Sequence, residues 1–208
     1  MKTYKYISLV SLFCLITLGF RLKSEFTPVV KIDSFVNNFS LNDTNGETIS
    51  LNDFKKVKGF IVIFTCNRCP FAKLYLDRMN KLNEKYTQKG FPLIAINSTD
   101  ANDFPEENIE SMKTLSISKK FNFPYLKDSK QEVAKSLGAN KTPHAFILLK
   151  SNKQLQIKYS GAIDDNGAEP QKVENNYLEN ALIELISEKN VTIKETKSIG
   201  CSIKYKTN

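Results

Sequence analysis

Two cysteines three positions apart stand in the run Cys66-Asn67-Arg68-Cys69-Pro70, between an apolar β-type stretch and a helical one. Thiols so placed suit reversible disulfide exchange. The thiolate is the nucleophile, and free N–H groups at a helix start lower a thiol pKa from about 8.5 to roughly 3.5 to 7.5. After one sulfur has attacked a disulfide, the second can close on it and release the mixed disulfide. Pro70 suits a first helical turn, where its missing N–H would have had no intrahelical partner. Arg68 is a candidate source of positive charge beside the thiols. The ligand count disfavours zinc: a structural site takes four ligands, no second C-x-x-C is present, and only Cys201 and His144 remain to complete one.

Setting Cys14 aside leaves Cys66, Cys69 and Cys201, so one thiol lacks a fixed partner. The expectation is that the C-terminal tail folds back and brings Cys201 to the pair as an auxiliary third thiol. Thr142-Pro143 precedes a strand beginning near Ala145, and a proline is permitted at a strand's first residue. The pair is read as a substrate-binding loop that faces the thiols and holds a partner chain by its backbone. His144, the single histidine, reads as a structural residue.

The elements that must position these residues are legible as an alternation of strand and helix. Asn37 to Leu41 and Thr48 to Leu51 flank Asn45-Gly46, a hairpin signal. Gly59 to Thr65 is a continuous β-branched and aromatic run, the pattern of a strand buried on both faces. The apolar positions Phe71, Leu74, Tyr75, Met79, Leu82 and Tyr86 predict one long helix ending at Gly90. Phe91 to Ile96 reads as a strand, Glu106 to Lys119 as a helix, and Glu132 to Leu137 as a short helix ended by Gly138. Ala145 to Leu149 and Gln154 to Tyr159 form a second hairpin, and a last helix spans Val173 to Ser187. This order describes an α/β protein, a three-layer α/β/α sandwich with a mixed central sheet and an N-terminal β-hairpin.

With 208 residues, 41% hydrophobic and 25% charged, one well-packed domain is expected, and neither disorder nor a polytopic membrane protein is indicated. Lys2 and Lys5 precede a weakly polar to apolar run from Ile7 to Phe20, too short to span a bilayer and of signal-core length. Residues 1–26 are therefore read as a signal peptide or N-terminal anchor, 27–188 as the domain, and 189–208 as a tail packing on it. The expected location is exported, periplasmic or anchored to the membrane on its extracytoplasmic side, with membrane association through the N-terminal segment. The net charge of +8 comes from lysines scattered over helix faces and the tail, which gives no support to nucleic-acid binding.

These features resemble the thioredoxin-like superfamily, and within it the redoxin branch of alkyl hydroperoxide reductase and thiol-specific antioxidant proteins, the peroxiredoxin-like group. The segments that carry the resemblance are FTCNRCPFAKLY around the thiols, FPYLKD at 123–128, KTPHAF at 141–146, YSGAIDDN at 159–166 and IGCSIKYK at 199–206. The resemblance implies a thioredoxin fold, an attacking Cys66, a resolving Cys69 and a cis Pro143. A thiol- or disulfide-containing protein or small thiol is the implied partner, and no organic cofactor is required. Two departures stand out. Where a peroxiredoxin has a threonine three residues before its reactive cysteine, Cys66 precedes Cys69 and Ile63 precedes Cys66. Where a thioredoxin has a tryptophan and a buried acid, Thr65 and Phe60 stand. Alternatives to a thiol-disulfide oxidoreductase are a thiol-dependent peroxidase, with Cys69 capturing a sulfenic acid on Cys66, and a copper-binding protein using Cys66, Cys69 and His144. A thioredoxin-fold interaction module without activity is a further one.

Overall fold

In the computed structural model the residues described are 31–151 and 154–206. The expected signal or anchor segment, residues 1–26, lies outside them. The strands are β1 (Phe35–Val36), β2 (Ser40–Asp43), β3 (Thr48–Ser50), β4 (Gly59–Phe64), β5 (Leu93–Asn97), β6 (Tyr125–Lys127), β7 (Lys141–Thr142), β8 (His144–Ser151), β9 (Gln154–Gly161) and β10 (Cys201–Ser202). The helices are α1 (Pro70–Lys73), α2 (Leu76–Thr87), α3 (Ile109–Ser118), α4 (Glu132–Leu137) and α5 (Tyr177–Ile186).

All six residues of β4 are buried, as its unbroken apolar run requires of a strand covered on both faces. It pairs parallel with β5 and antiparallel with β8, at the centre of a mixed sheet ordered β1-β9-β8-β4-β5-β6-β2-β3. Alternate strand residues feed two cores. Ile61, Ile63, Leu93, Ala95 and Ile147 pack with Leu76, Met79 and Tyr86 of α2, Met112 of α3 and Leu178 and Leu182 of α5. Phe60, Val62, Phe64, Ile94, Phe146 and Leu148 pack with Val133, Ala134 and Leu137 of α4 and with Ile203 of the tail. Each large apolar side chain so buried contributes about 1.5 to 3 kcal/mol. The result is the three-layer α/β/α thioredoxin fold.

The hairpin β2–β3 turns at Asn45-Gly46, with Gly46 at φ +85° and the Asp43 carboxylate accepting the Asn45 and Glu47 N–H groups. It lies at one edge of the sheet and is preceded by β1, a two-residue strand paired with β9 at the opposite edge. The single helix expected from Phe71 to Gly90 is divided between α1 and α2 at Leu74 and Tyr75. The division turns the Tyr75 ring inward, where its hydroxyl donates to Asp164 Oδ1 at 2.9 Å and its hydroxyl end lies against Gly167, at which a Cβ would come within 3.0 Å of the ring. Arg78 lies over the same ring and meets Asp164 Oδ2 at 2.5 Å. The segment YSGAIDDN is thus an anchor for the helix that follows the thiols. α3 begins at Ile109 rather than Glu106, because Asn108 caps it through the Ser111 N–H after a 3-10 turn over Pro105–Glu107. α5 begins at Tyr177, since Pro170–Lys172 forms its own 3-10 turn.

Candidate active site

Cys66 lies in the loop leaving β4, and Cys69 is the N-cap residue of α1, with Pro70 in its first turn. Cys66 is 2% exposed and Cys69 is fully buried; both are free thiols. Thr142 joins them. Its hydroxyl lies 3.2 Å from Cys66 Sγ, and its carbonyl oxygen lies 3.1 Å from Cys69 Sγ, which donates there when protonated. The Thr142–Pro143 bond is cis. The substrate-binding loop expected at Thr142 and Pro143 therefore faces the thiols, but β10 already pairs with it, Cys201 opposite Thr142 and Ser202 opposite Lys141.

The two sulfurs sit in different electrostatic surroundings. Cys69 is held well below the ordinary thiol range, first by the hydrogen bond offered by Cys66, then by Cys201 and by the Ala72 backbone N–H, against the opposing cost of burial. Cys66 is pushed up, first by its contact with Cys69, then by burial, with the nearby Glu107 carboxylate acting in the same direction. The resemblance implies an attacking Cys66; within the pair the balance of contacts places the donor at Cys66 and the acceptor at Cys69. Cys69 starts α1, whereas Cys66 lies ahead of it, beside an acid. Cys201 is half-buried, packs on the cluster formed by the two cysteines and Ala72, and has its thiol raised to about 11 by burial and by Cys69.

Glu107 is a site residue that the sequence does not reveal. It is fully buried, and its carboxylate accepts the Asn67 N–H at 2.8 Å, the Arg68 N–H at 2.9 Å and the Asn97 side-chain amide at 2.8 Å. Tyr125 donates to Asn67 Oδ1, and Lys127 Nζ donates to the carbonyls of Thr99 and Glu107. Buried polar groups so connected hold the loop between the cysteines in one conformation. The only sequence signal is an acid in an otherwise ordinary helix start. Arg68, the candidate auxiliary cation, lies over the Phe104 ring at 3.7 Å and 3.4 Å from Glu106.

His144 is buried, with Nδ1 accepting the Asn140 N–H at 3.3 Å and Nε2 bonded to the Ser160 hydroxyl at 2.9 Å. Both ring nitrogens are engaged, so the imidazole that copper binding needs is committed to the fold. Among the described residues no group of three His, Cys, Asp or Glu side chains converges as metal ligands. Burial lowers the His144 pKa from 6.5 to about 4. Below pH 6.5 the unfolded chain takes up a proton that the native ring does not, so stability is fullest above 6.5 and is lost as pH falls toward 4. The expected loss from this residue is about 3 kcal/mol. Urea unfolding at pH 7.5 and 4.5 should show it, and His144→Gln should remove that part of the difference; an unchanged pH dependence in the variant would refute the assignment.

Thiol-disulfide oxidoreductase ResA of Bacillus thuringiensis subsp. konkukian (strain 97-27) is 31% identical over 119 residues, which span 57% of this chain and 64% of the relative. An uncharacterized conserved protein from Geobacillus kaustophilus superimposes with a TM-score of 0.78 at 34% identity, over 86% of this chain and 95% of that one. Peroxidoxin BcpB from Mycobacterium tuberculosis shares the fold, with a TM-score of 0.57 at 15% identity over 76% and 98% of the two chains. The AhpC/TSA family pattern matches residues 32–168, so the strand, thiol loop and Thr142-Pro143 segment all fall inside it, and the chain belongs to the AhpC/TSA family.

Proposed function

We propose that this protein is a thiol-disulfide oxidoreductase working through Cys66 and Cys69. The observation that carries the reading is the placement of two free thiols between a buried strand and a helix start, both held against Thr142 of the cis-proline loop. The Cys69 thiolate attacks a partner disulfide, one partner sulfur leaves, and Cys66 displaces the other while closing the Cys66–Cys69 bond. The name of the ResA relative agrees with this chemistry. A protein partner is favoured over a small thiol by exposed apolar side chains close in sequence to the cysteines: Phe71 at 45%, Leu74 at 44% and Ile199 at 64% exposure. Thr142 and Pro143 would meet that partner's backbone at the edge where β10 now sits. We place the protein outside the cytoplasm on the strength of Lys2, Lys5 and the apolar run that follows. Among the described residues no helix is long and apolar enough to cross a membrane.

Equilibration of the purified protein against glutathione buffers, with peptide mapping of Cys66 and Cys69, tests the reading. A reversible two-electron transition at about −270 to −120 mV, the range of known exchange catalysts, is expected. A pair that never closes, or that stays closed throughout that range, would overturn it.

A further inference from the structure

The tail after α5 returns to the thiols and is docked on both sides of Cys201. Before it, Val191 is buried in the α2-side core and Glu195 bridges to Ser160 of β9. After it, Ile203 is buried against the α4-side core, and the Gln131 side chain both donates to the Lys204 carbonyl and accepts the Lys206 N–H. Between these points β10 lies along β7, with Cys201 opposite Thr142. Gly200 permits that approach, since a Cβ at this position would lie 2.0 Å from the Thr142 carbonyl oxygen. The outcome is three free thiols brought together: Cys201 packs on the cluster of Cys66, Cys69 and Ala72, opposite the Thr142 whose carbonyl accepts from Cys69.

The geometry points to Cys201 as a third redox-active cysteine whose disulfide partner is Cys69. This rests on the exchange reading of the Cys66/Cys69 pair. With that pair oxidised, the Cys201 thiolate attacks Cys69 Sγ. The Cys69–Cys201 bond forms, the Cys66–Cys69 bond breaks, and Cys66 leaves as a thiolate that takes up the proton given by Cys201. Two sulfurs are oxidised before and after, so the step needs no outside oxidant. Its effect is to carry the disulfide from two buried sulfurs to one that is half-buried at the strand edge. There a partner thiol can reach it while β10 stays docked on Thr142.

The test uses full-length Cys66→Ser protein, reduced and then exposed to glutathione disulfide, with non-reducing peptide mapping. A Cys69–Cys201 crosslink within one chain is expected. Adding Gly200→Val should lower its yield by roughly tenfold or more, as a docked thiol becomes a merely tethered one. In the parent sequence Gly200→Val should leave Cys66–Cys69 closure intact. If Cys69 stops at the glutathione mixed disulfide with Cys201 reduced, while the parent closes Cys66–Cys69, the relay is wrong and the exchange reading stands. If the parent closes no Cys66–Cys69 bond, both fall.

Discussion

Cys69→Ser is expected to lower disulfide exchange by roughly three orders of magnitude or more, the scale on which loss of an activated nucleophile is felt. A serine hydroxyl is not ionised near neutral pH, and the sulfur it replaces is the one that Cys66, Cys201 and the Ala72 N–H stabilise as a thiolate. Cys66→Ser should also stop turnover, but by a different route. The introduced serine keeps a hydroxyl donor toward Cys69, so the remaining thiol stays ionised below pH 7 and halts after attack. The distinguishing measurement is the pH profile of iodoacetamide modification, residue by residue. The tail governs the absolute rate, because Cys69 is fully buried. The midpoint reports ionisation, and it should lie below pH 7 for Cys69 in Cys66→Ser. In Cys69→Ser, Cys66 should react only at alkaline pH, held up by burial and by Glu107. Fast modification of Cys66 at low pH in Cys69→Ser would return the nucleophile to Cys66.

Glu107→Ala should cost about 3 to 5 kcal/mol of stability, the range for removing one member of a buried charged network. It strips acceptors from two backbone N–H groups and the Asn97 amide in a place without solvent access. Glu107→Gln preserves the shape but offers one oxygen where two N–H donors converge, and is expected to lose about half as much. Urea unfolding of the reduced proteins measures both. The same substitutions remove the carboxylate beside Cys66, so the Cys66 thiol should titrate lower in each. A loss under about 1 kcal/mol in Glu107→Ala would show that the Cys66–Cys69 loop is held by other contacts.

Much of the fold is legible in the sequence because its signals are local. The buried run of β4, the Asn45-Gly46 turn and the αL glycine at Gly138 each follow from residue type within a few positions. Periodicity makes the helix after the thiols look continuous, because it reports only which face is apolar. The break at Tyr75 is stabilised by Asp164 and Gly167, some ninety residues away. β1, β6 and β10 escape a sequence reading, since two- and three-residue pairings carry no period of their own.

Residue identity and short-range spacing are enough to give the pair of thiols, their seat between a central strand and a helix, and the odd third cysteine. How the two sulfurs ionise is a matter of tertiary structure, because it depends first on their contact with each other and on burial, and then on Glu107 beside Cys66 and on Cys201 and the Ala72 N–H beside Cys69. The meeting of Cys201 with Cys69 is of the same kind. That contact follows from a strand register between residues 59 positions apart, set by cores on both faces of the sheet and by the one glycine that fits against Thr142.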